Sequence, residues 1–281
     1  MITFTSWERF CLSVQRSGIE VCLPRELKKM SPSRMSKCLI MKHDVEADIS
    51  KALKLAELEN RCGMRAVYYV HSFYLDALKD RRSLQKIASL GHEIGYHYDV
   101  MDNNEGDYTR ATAEFALTLE LFNEFGLTIE STCPHGNPMK ERDGWFSNKD
   151  FFRNPDTKRN FPELLDVVIG LEDLVGPDYL YISDSGYKLC IVGDIKNNDR
   201  PDFQSGSDEK IGELDQALKL AQETDNITFI SVHSHRLEES LYRAYARVLL
   251  FKTAKKVARI AYKSTIGRAF MNRYYYLSKR I

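Results

Sequence analysis

Two features of the sequence predict an α/β protein built on a parallel sheet of about seven strands. Short apolar runs alternate with amphipathic helical stretches between residues 38 and 235, the pattern of parallel strands joined by crossover helices. Chemically loaded side chains then recur just past the C-terminal end of a run: Asp44, His71, His97, His135, Asp184 and His233. In barrels of this class active sites gather at that face. With 281 residues the chain can form one large domain or two small ones, and it can bury a substantial core.

Each element has its own signal. A helix is expected over 7–17, a short strand over 21–23, and a linker in the Ser/Pro-rich stretch 31–36. The first long strand is 38–45. The helix after it begins near Ser50, a residue type suited to an N-cap. It carries Leu55, Leu58 and Cys62 at helical spacing and stops at Gly63. Tyr68 and Tyr69 mark a strand over 66–71. A helix over 81–90 ends at Gly91, a strand covers 93–98, and a helix over 108–125 ends at Gly126. The strand at 129–133 leads into Pro134-His135-Gly136-Asn137-Pro138. The polar and aromatic stretch 140–165 reads as a long surface excursion. Strands are expected at 179–182, ending in Ser183-Asp184-Ser185-Gly186, and at 189–192. A helix over 209–223 and a last strand over 227–232, ending in His233-Ser234-His235, complete the barrel domain, 1–236. Residues 237–281 form a basic helical extension.

The composition, 43% hydrophobic and 28% charged, is ordinary for a globular protein. Six scattered cysteines without a CxxC pair read as reduced thiols, not as a disulfide framework or zinc ribbon. Glu8 and Arg9 interrupt the only apolar stretch near the N-terminus, which argues against a signal peptide, and no run approaches the ~20 apolar residues of a membrane span. A cytoplasmic protein is the expectation. Net charge is zero but uneven: from Arg243 to the end there are eleven Lys/Arg and no Asp or Glu, leaving 29 basic against 40 acidic residues before it.

The chemistry concentrates in Cys38–Glu46 and Gly91–Asp99. Side chains alternate along a strand, so Asp44 and Glu46 face one way and His43 the other. Two carboxylates on one face repel unless a cation or a shared proton lies between them. His92 and His97 flank a Gly-containing turn, with Asp99 just beyond. Carboxylates with imidazoles are the usual ligand set of a catalytic divalent metal. The stretches KHDVEADISKALKLAELENRCGMRAVYYV and GHEIGYHYD resemble the polysaccharide deacetylase superfamily (carbohydrate esterase family four and relatives), in particular an atypical branch with HDVD-like and GHEIGxHY-like signatures. The resemblance is strong over 38–136, traceable to about 236, and does not reach the tail.

That resemblance implies a distorted, incomplete (β/α) barrel. It implies that Asp44 is the general base or a bridging ligand, Glu46 a metal ligand, and His97 the first histidine of an HxxxH pair. The chain departs from the pattern where Met101 stands in place of the second histidine. The missing ligand then comes from Asp99, His135, His233 or His235. Of these His135 is favoured, because Pro134 and Gly136 hold it on a tight turn where relatives have Arg-x-Pro. His233 falls where relatives place the general acid, with His235 beside it. Asp184 is placed to orient one of these histidines, and Asp99 and Asp184 are the residues expected near substrate. His92 reads as a structural histidine and His71 as a core histidine, outside the site.

The implied reaction is amide hydrolysis with a divalent metal, zinc by preference. The substrate would be an N-acylated amino sugar in a precursor of a surface glycan such as lipopolysaccharide or O-antigen. Many relatives are secreted; a cytoplasmic one would act before export. Two rivals stand beside this reading: a hydrolase of non-sugar C–N bonds, with or without metal, and a degenerate barrel that only binds glycan. The basic tail suits either peripheral contact with an anionic membrane or packing on the acidic body; no nucleic-acid-binding motif is present.

Overall fold

The computed structural model describes residues 1–137, 140–184, 187–199, 209–261, 264 and 267. Expectations that fall on Pro138, Ser185, Gly186 and most of 262–281 lie outside the described residues. The strands are β1 (Glu20–Val21), β2 (Cys38–Val45), β3 (Val67–Val70), β4 (Glu93–Tyr98), β5 (Ser131–Pro134), β6 (Leu165–Asp166), β7 (Leu180–Ser183), β8 (Cys190–Ile191), β9 (Glu209–Lys210) and β10 (Thr228–Ser231). They form one sheet in the order β6-β5-β4-β3-β2-β10-β7-β8-β9, with β1 paired to β2. The run from β6 to β7 is parallel throughout and has seven members, among them β6, which was not expected, whereas the strand expected at 189–192 is β8, antiparallel, with β9 beyond it. The path ends at β6 and β9, so this is a partial (β/α) barrel.

Parallel neighbours need crossovers, and helices supply them. Ile49–Arg61 links β2 to β3, Leu78–Ser89 links β3 to β4, and Tyr108–Glu124 links β4 to β5. Leu214–Glu223 precedes β10, which inserts between β2 and β7. The core collects both faces of the sheet and the inner stripes of these helices, with Leu55, Leu84, Ile87, Phe115 and Phe122 buried. Among the described residues no helix is long and apolar enough to cross a membrane.

β2 is buried along its whole length, with β10 on one side and β1, then β3, on the other. Its alternation divides three ionisable residues between two faces. His43 turns toward the helices. Its Nδ1 lies 3.0 Å from Val232 O and its Nε2 2.8 Å from Glu59 Oε1. Glu59 also accepts from Trp7 Nε1 at 2.8 Å and Tyr68 OH at 2.7 Å. Burial alone would raise the Glu59 carboxyl, but His43 holds it below its ordinary value. His92 completes this layer: Nδ1 accepts from Ala66 N–H at 3.1 Å and Nε2 donates to Ala56 O at 2.9 Å. Lys42 and Asp44 turn the other way, into the barrel.

Several expectations change at element ends. Asp48, not Ser50, caps the helix Ile49–Arg61, in left-handed backbone (φ 58°), accepting from Lys51 N–H at 3.2 Å. The stretch 31–36 holds a short helix, Pro32–Met35. The helix expected from 209 begins at Leu214, because Glu209 and Lys210 pair with β8 as β9. The stretch 140–165 is not a surface excursion. It contains the helices Asp150–Arg153 and Pro155–Asn160 and buries Asn148, Asp150, Phe151 and Phe152.

Gly95 shows how tightly the interior face is filled. The Tyr69 ring of β3 lies across β4 where a Cβ on Gly95 would sit, 2.3 Å from Cε1, and its hydroxyl reaches Ser131 Oγ at 2.8 Å. We expect Gly95→Ala to destabilise the protein by ~1–3 kcal/mol through overpacking. Denaturant unfolding measures this, and a midpoint unchanged from the parent would show that Tyr69 can move aside.

Candidate metal centre and active site

The site is assembled at the C-terminal ends of adjacent parallel strands. His71 is the first residue after β3, His97 is the fifth residue of β4, and His135 follows β5, its N–H continuing the ladder to Tyr98 O at 2.9 Å. Their ligand atoms all lie within 4.8 Å of one another. The rings stand 4.8 Å (His71–His97), 4.8 Å (His71–His135) and 5.1 Å (His97–His135) apart, centroid to centroid.

Every ring in this triad has one nitrogen turned to an oxygen. Asp99, directly after β4, lies 3.1 Å from His71 Nδ1 and 2.5 Å from His135 Nδ1. His97 Nδ1 lies 3.0 Å from Cys133 O, an acceptor only, so Nδ1 carries the proton. Nε2 is therefore the nitrogen that each ring could offer to a metal. Burial, with His71 and His135 adding to it, holds His97 well below the usual imidazole range, while Asp44 opposes the shift. His97 is therefore a neutral imidazole. Asp99 is buried, which alone would raise it, yet His135 and His71 hold it well below the carboxylate range. A carboxylate behind an imidazole fixes tautomer and ring orientation, the usual support of a metal-binding histidine.

A second set of residues clamps Asp99. Asn148 Nδ2 donates to Asp99 Oδ1 at 3.3 Å, to Asp102 Oδ2 at 3.1 Å and to His135 O at 3.0 Å. Asp102 takes a two-point contact from Arg142 (2.7 and 2.8 Å) and another from Trp145 Nε1 at 3.0 Å. These residues explain why the stretch 140–150 is drawn inward. No local sequence pattern announced them, since they connect through space to residues about forty positions away.

Asp44 faces the triad from β2, in a cluster with His97 and Cys133 whose ligand atoms also lie within 4.8 Å of one another. Both its oxygens are held by Lys42 Nζ, at 2.5 and 2.6 Å. Burial would raise Asp44, but Lys42 first, then His97 and His233, hold it far below the carboxylate range. Lys42 is 1% exposed; burial would strip its proton, and Asp44 keeps it charged. Lys42 was not a sequence candidate, although it stands two residues from Asp44 on the same strand face. Burial raises the Cys133 thiol, which leaves it a poor ligand beside three imidazoles.

Glu46, expected as a ligand, stands beside the triad at its rim, 3.7 Å from His135 Nε2 and 3.5 Å from His233 Nε2. His233 follows β10. Its Nδ1 lies 2.6 Å from Asp184 Oδ1 and its N–H donates to Asp184 Oδ2 at 3.2 Å. Burial opposes its charge, but Asp184 and Glu46 push its pKa up to about 9. His235 does not lie one strand alternation on, because β10 stops at Ser231 and Ser234–Arg236 form a 3-10 turn. Its ring stands 5.7 Å from His233, its Nδ1 has no hydrogen-bond partner among the described residues, and burial pushes it down to about 3.

The structure thus brings Asp44, Glu46, His97, His135 and His233 to one mouth and adds His71, whose strand-end position was the available signal. Asp99 and Asp184, expected near substrate, turn their oxygens to histidines instead. Three imidazoles backed by a carboxylate and a carbonyl fit zinc, whose catalytic sites use three protein ligands and an open position.

Neutral His233 is disfavoured in the folded protein, which has a consequence for stability. Its folded pKa of about 9 exceeds the ordinary 6.5. Its contribution is complete below pH 6.5 and is lost as pH rises through 9, up to about 3 kcal/mol. Unfolding of metal-free protein followed from pH 6 to 10 should show this decline, and His233→Gln should flatten it; an equal slope in both proteins would refute the Asp184–His233 linkage.

No protein-family model and no curated protein matches the chain. Among solved structures, it is similar to a family 4 carbohydrate esterase from Streptomyces lividans in complex with acetate, at 14% identity and a TM-score of 0.42, covering 77% of this chain and 88% of that one. It is similar to a CE4 esterase of Streptococcus mutans at 12% identity and a TM-score of 0.44, over 86% and 90%. It is also similar to the catalytic domain of a peptidoglycan N-acetylglucosamine deacetylase from Eubacterium rectale, at 12% and 0.42, over 78% and 85%. At such identity and TM-scores the chemistry of this chain rests on its own side chains.

Proposed function

We propose that this protein is a metal-dependent hydrolase that removes an N-acyl group from an amino sugar. The observation that carries the reading is the triad His71, His97 and His135 facing an ionised Asp44, with a charged histidine across the same mouth. The family resemblance of the two motif stretches supports the substrate class: a carbohydrate bearing an acetyl-like amide, in the precursor of a surface glycan.

A divalent ion bound by the three Nε2 atoms, zinc by preference, would polarise the acyl carbonyl and bring the pKa of a water toward ~7. The chain's own groups divide the remaining work. Asp44, kept anionic by Lys42, accepts a hydrogen bond from the attacking water and aligns it. Its low proton affinity suits orientation better than proton storage. The water oxygen bonds to the acyl carbon and the C–N bond breaks; of the water's two protons, one leaves to solvent along the Asp44 hydrogen bond and the other replaces the proton that His233 gives up. His233, protonated at neutral pH, gives its proton to the leaving amine. The products are a carboxylate and a free amino sugar. Glu46 lies between His135 and His233, where it can hold the imidazolium in place between turnovers. His71 and His135 stand where they could complete the set that Met101 leaves short, which supports the metal-dependent reading over the metal-free rival.

Elemental analysis and amine release from N-acetylglucosamine oligomers test this. The purified protein should carry about one zinc, and His71→Ala and His135→Ala should each weaken zinc binding by ~10-fold or more. Asp44→Asn should retain the metal and lower the rate by ~10²–10⁴-fold. Full zinc affinity without His71 would remove the triad from the proposal; near-native turnover in Asp44→Asn would remove Asp44 from the mechanism.

A further inference from the structure

The helix Leu241–Ala261 presents an apolar face that the barrel does not use. Ala244, Arg247 and Phe251, spaced by three and four, turn to the body: Ala244 is buried, Arg247 pairs with Glu238 at 2.6 Å, and the Phe251 ring stands 5.0 Å from Tyr187. Tyr242, Tyr245 and Leu249, at the same spacing, fall on the opposite side. Tyr242 is 83% exposed, and Tyr245 and Leu249 are exposed beside it, as are Leu241, Leu250 and Val257. Lys252 and Lys256 continue the outer face one and two turns further on. A contiguous exposed patch of this kind marks an interaction surface.

We propose that this face docks on an anionic lipid surface. Charge chooses the occupant. From Arg243 to the C-terminus the chain has eleven Lys/Arg and no acidic residue, whereas the preceding residues are acidic in balance. An acidic protein groove would complement the charges but leave the tyrosines and leucines without reason. A second copy would set lysines against lysines. A bilayer with anionic headgroups satisfies both: aromatic and leucine side chains enter the boundary region while the lysine heads remain among the phosphates. Docked so, the helix lies flat, and the barrel is held to the surface through the Arg247–Glu238 and Phe251–Tyr187 contacts. The inference is independent of the reaction proposed above.

Co-sedimentation of the full-length protein tests it, with vesicles of phosphatidylcholine alone and vesicles also containing phosphatidylglycerol, at low and high salt. The parent protein should sediment with the anionic vesicles at low salt, and salt should weaken this. Tyr245→Ser/Leu249→Ser should lower the partition coefficient by ~10-fold or more, and Lys252→Glu/Lys256→Glu should do the same and reduce the salt dependence. All four positions are exposed, so unfolding curves should match the parent. Failure of the parent to sediment with anionic vesicles, or equal sedimentation with the neutral ones, overturns the proposal. So does a dimer in solution that Tyr245→Ser/Leu249→Ser turns into monomer, since a second copy would then own the face.

Discussion

Lys42, His43 and Asp44 are consecutive ionisable residues in a strand buried on both faces, and each must find a partner inside the protein. An unpaired charge there would cost several kcal/mol. Alternation solves the problem by sending His43 to Glu59 and leaving Lys42 to pair with Asp44. The two pairs lock β2 in register, since a slip of one residue would exchange their faces and break both. The helix layer follows from the first pair, because Trp7, Tyr68 and His92 pack around Glu59. The active-site face follows from the second, because Asp44 is fixed before any ligand arrives.

The triad depends on a different economy of charge. One carboxylate, Asp99, serves two imidazoles, and a backbone carbonyl serves the third. Imidazoles bring no negative charge of their own, so this arrangement could accept a dication without a surplus of negative charge. Asp99 is in turn held by Asn148, whose amide also reaches Asp102 and the His135 carbonyl. A ring that must be placed to a fraction of an ångström is thus supported by a polar network in which each donor has its acceptor.

Most of the sheet was legible in the sequence because its signals are local: β2 and β4 have the predicted limits, whereas the two-residue β6 was too short to announce itself and nothing local showed that β8 runs antiparallel. The site was legible in part. Asp44, His97 and His233 stand in recognisable motifs, and His135 stood out between Pro134 and Gly136. His71 lacked such a frame, and in a run of buried aromatics it resembled a core residue. Lys42 was hidden because a lysine two residues before an aspartate is usually solvated, and nothing local shows that β2 is covered on both faces. Asn148, Asp102 and Arg142 were invisible for the same reason as the buried helices at 150–160: their partners are distant in sequence. The role given to His235 rested on a strand that the chain leaves at Ser231.

His233 and His235 show why proximity alone does not assign an acid. They are two residues apart and both buried, and burial pushes both toward the neutral form. His233 escapes because Asp184 meets its Nδ1 directly and Glu46 approaches its Nε2; its pKa rises to about 9. His235 has no such contact at Nδ1, and its pKa falls to about 3. At neutral pH one carries a proton to give and the other has no charge. Asp44 is displaced in the opposite sense by Lys42, so it stays anionic while His233 stays cationic. The two groups that flank the triad are therefore fixed in complementary states by their own buried partners, which is what the proposed reaction asks of an aligning carboxylate and of a proton donor to the leaving amine.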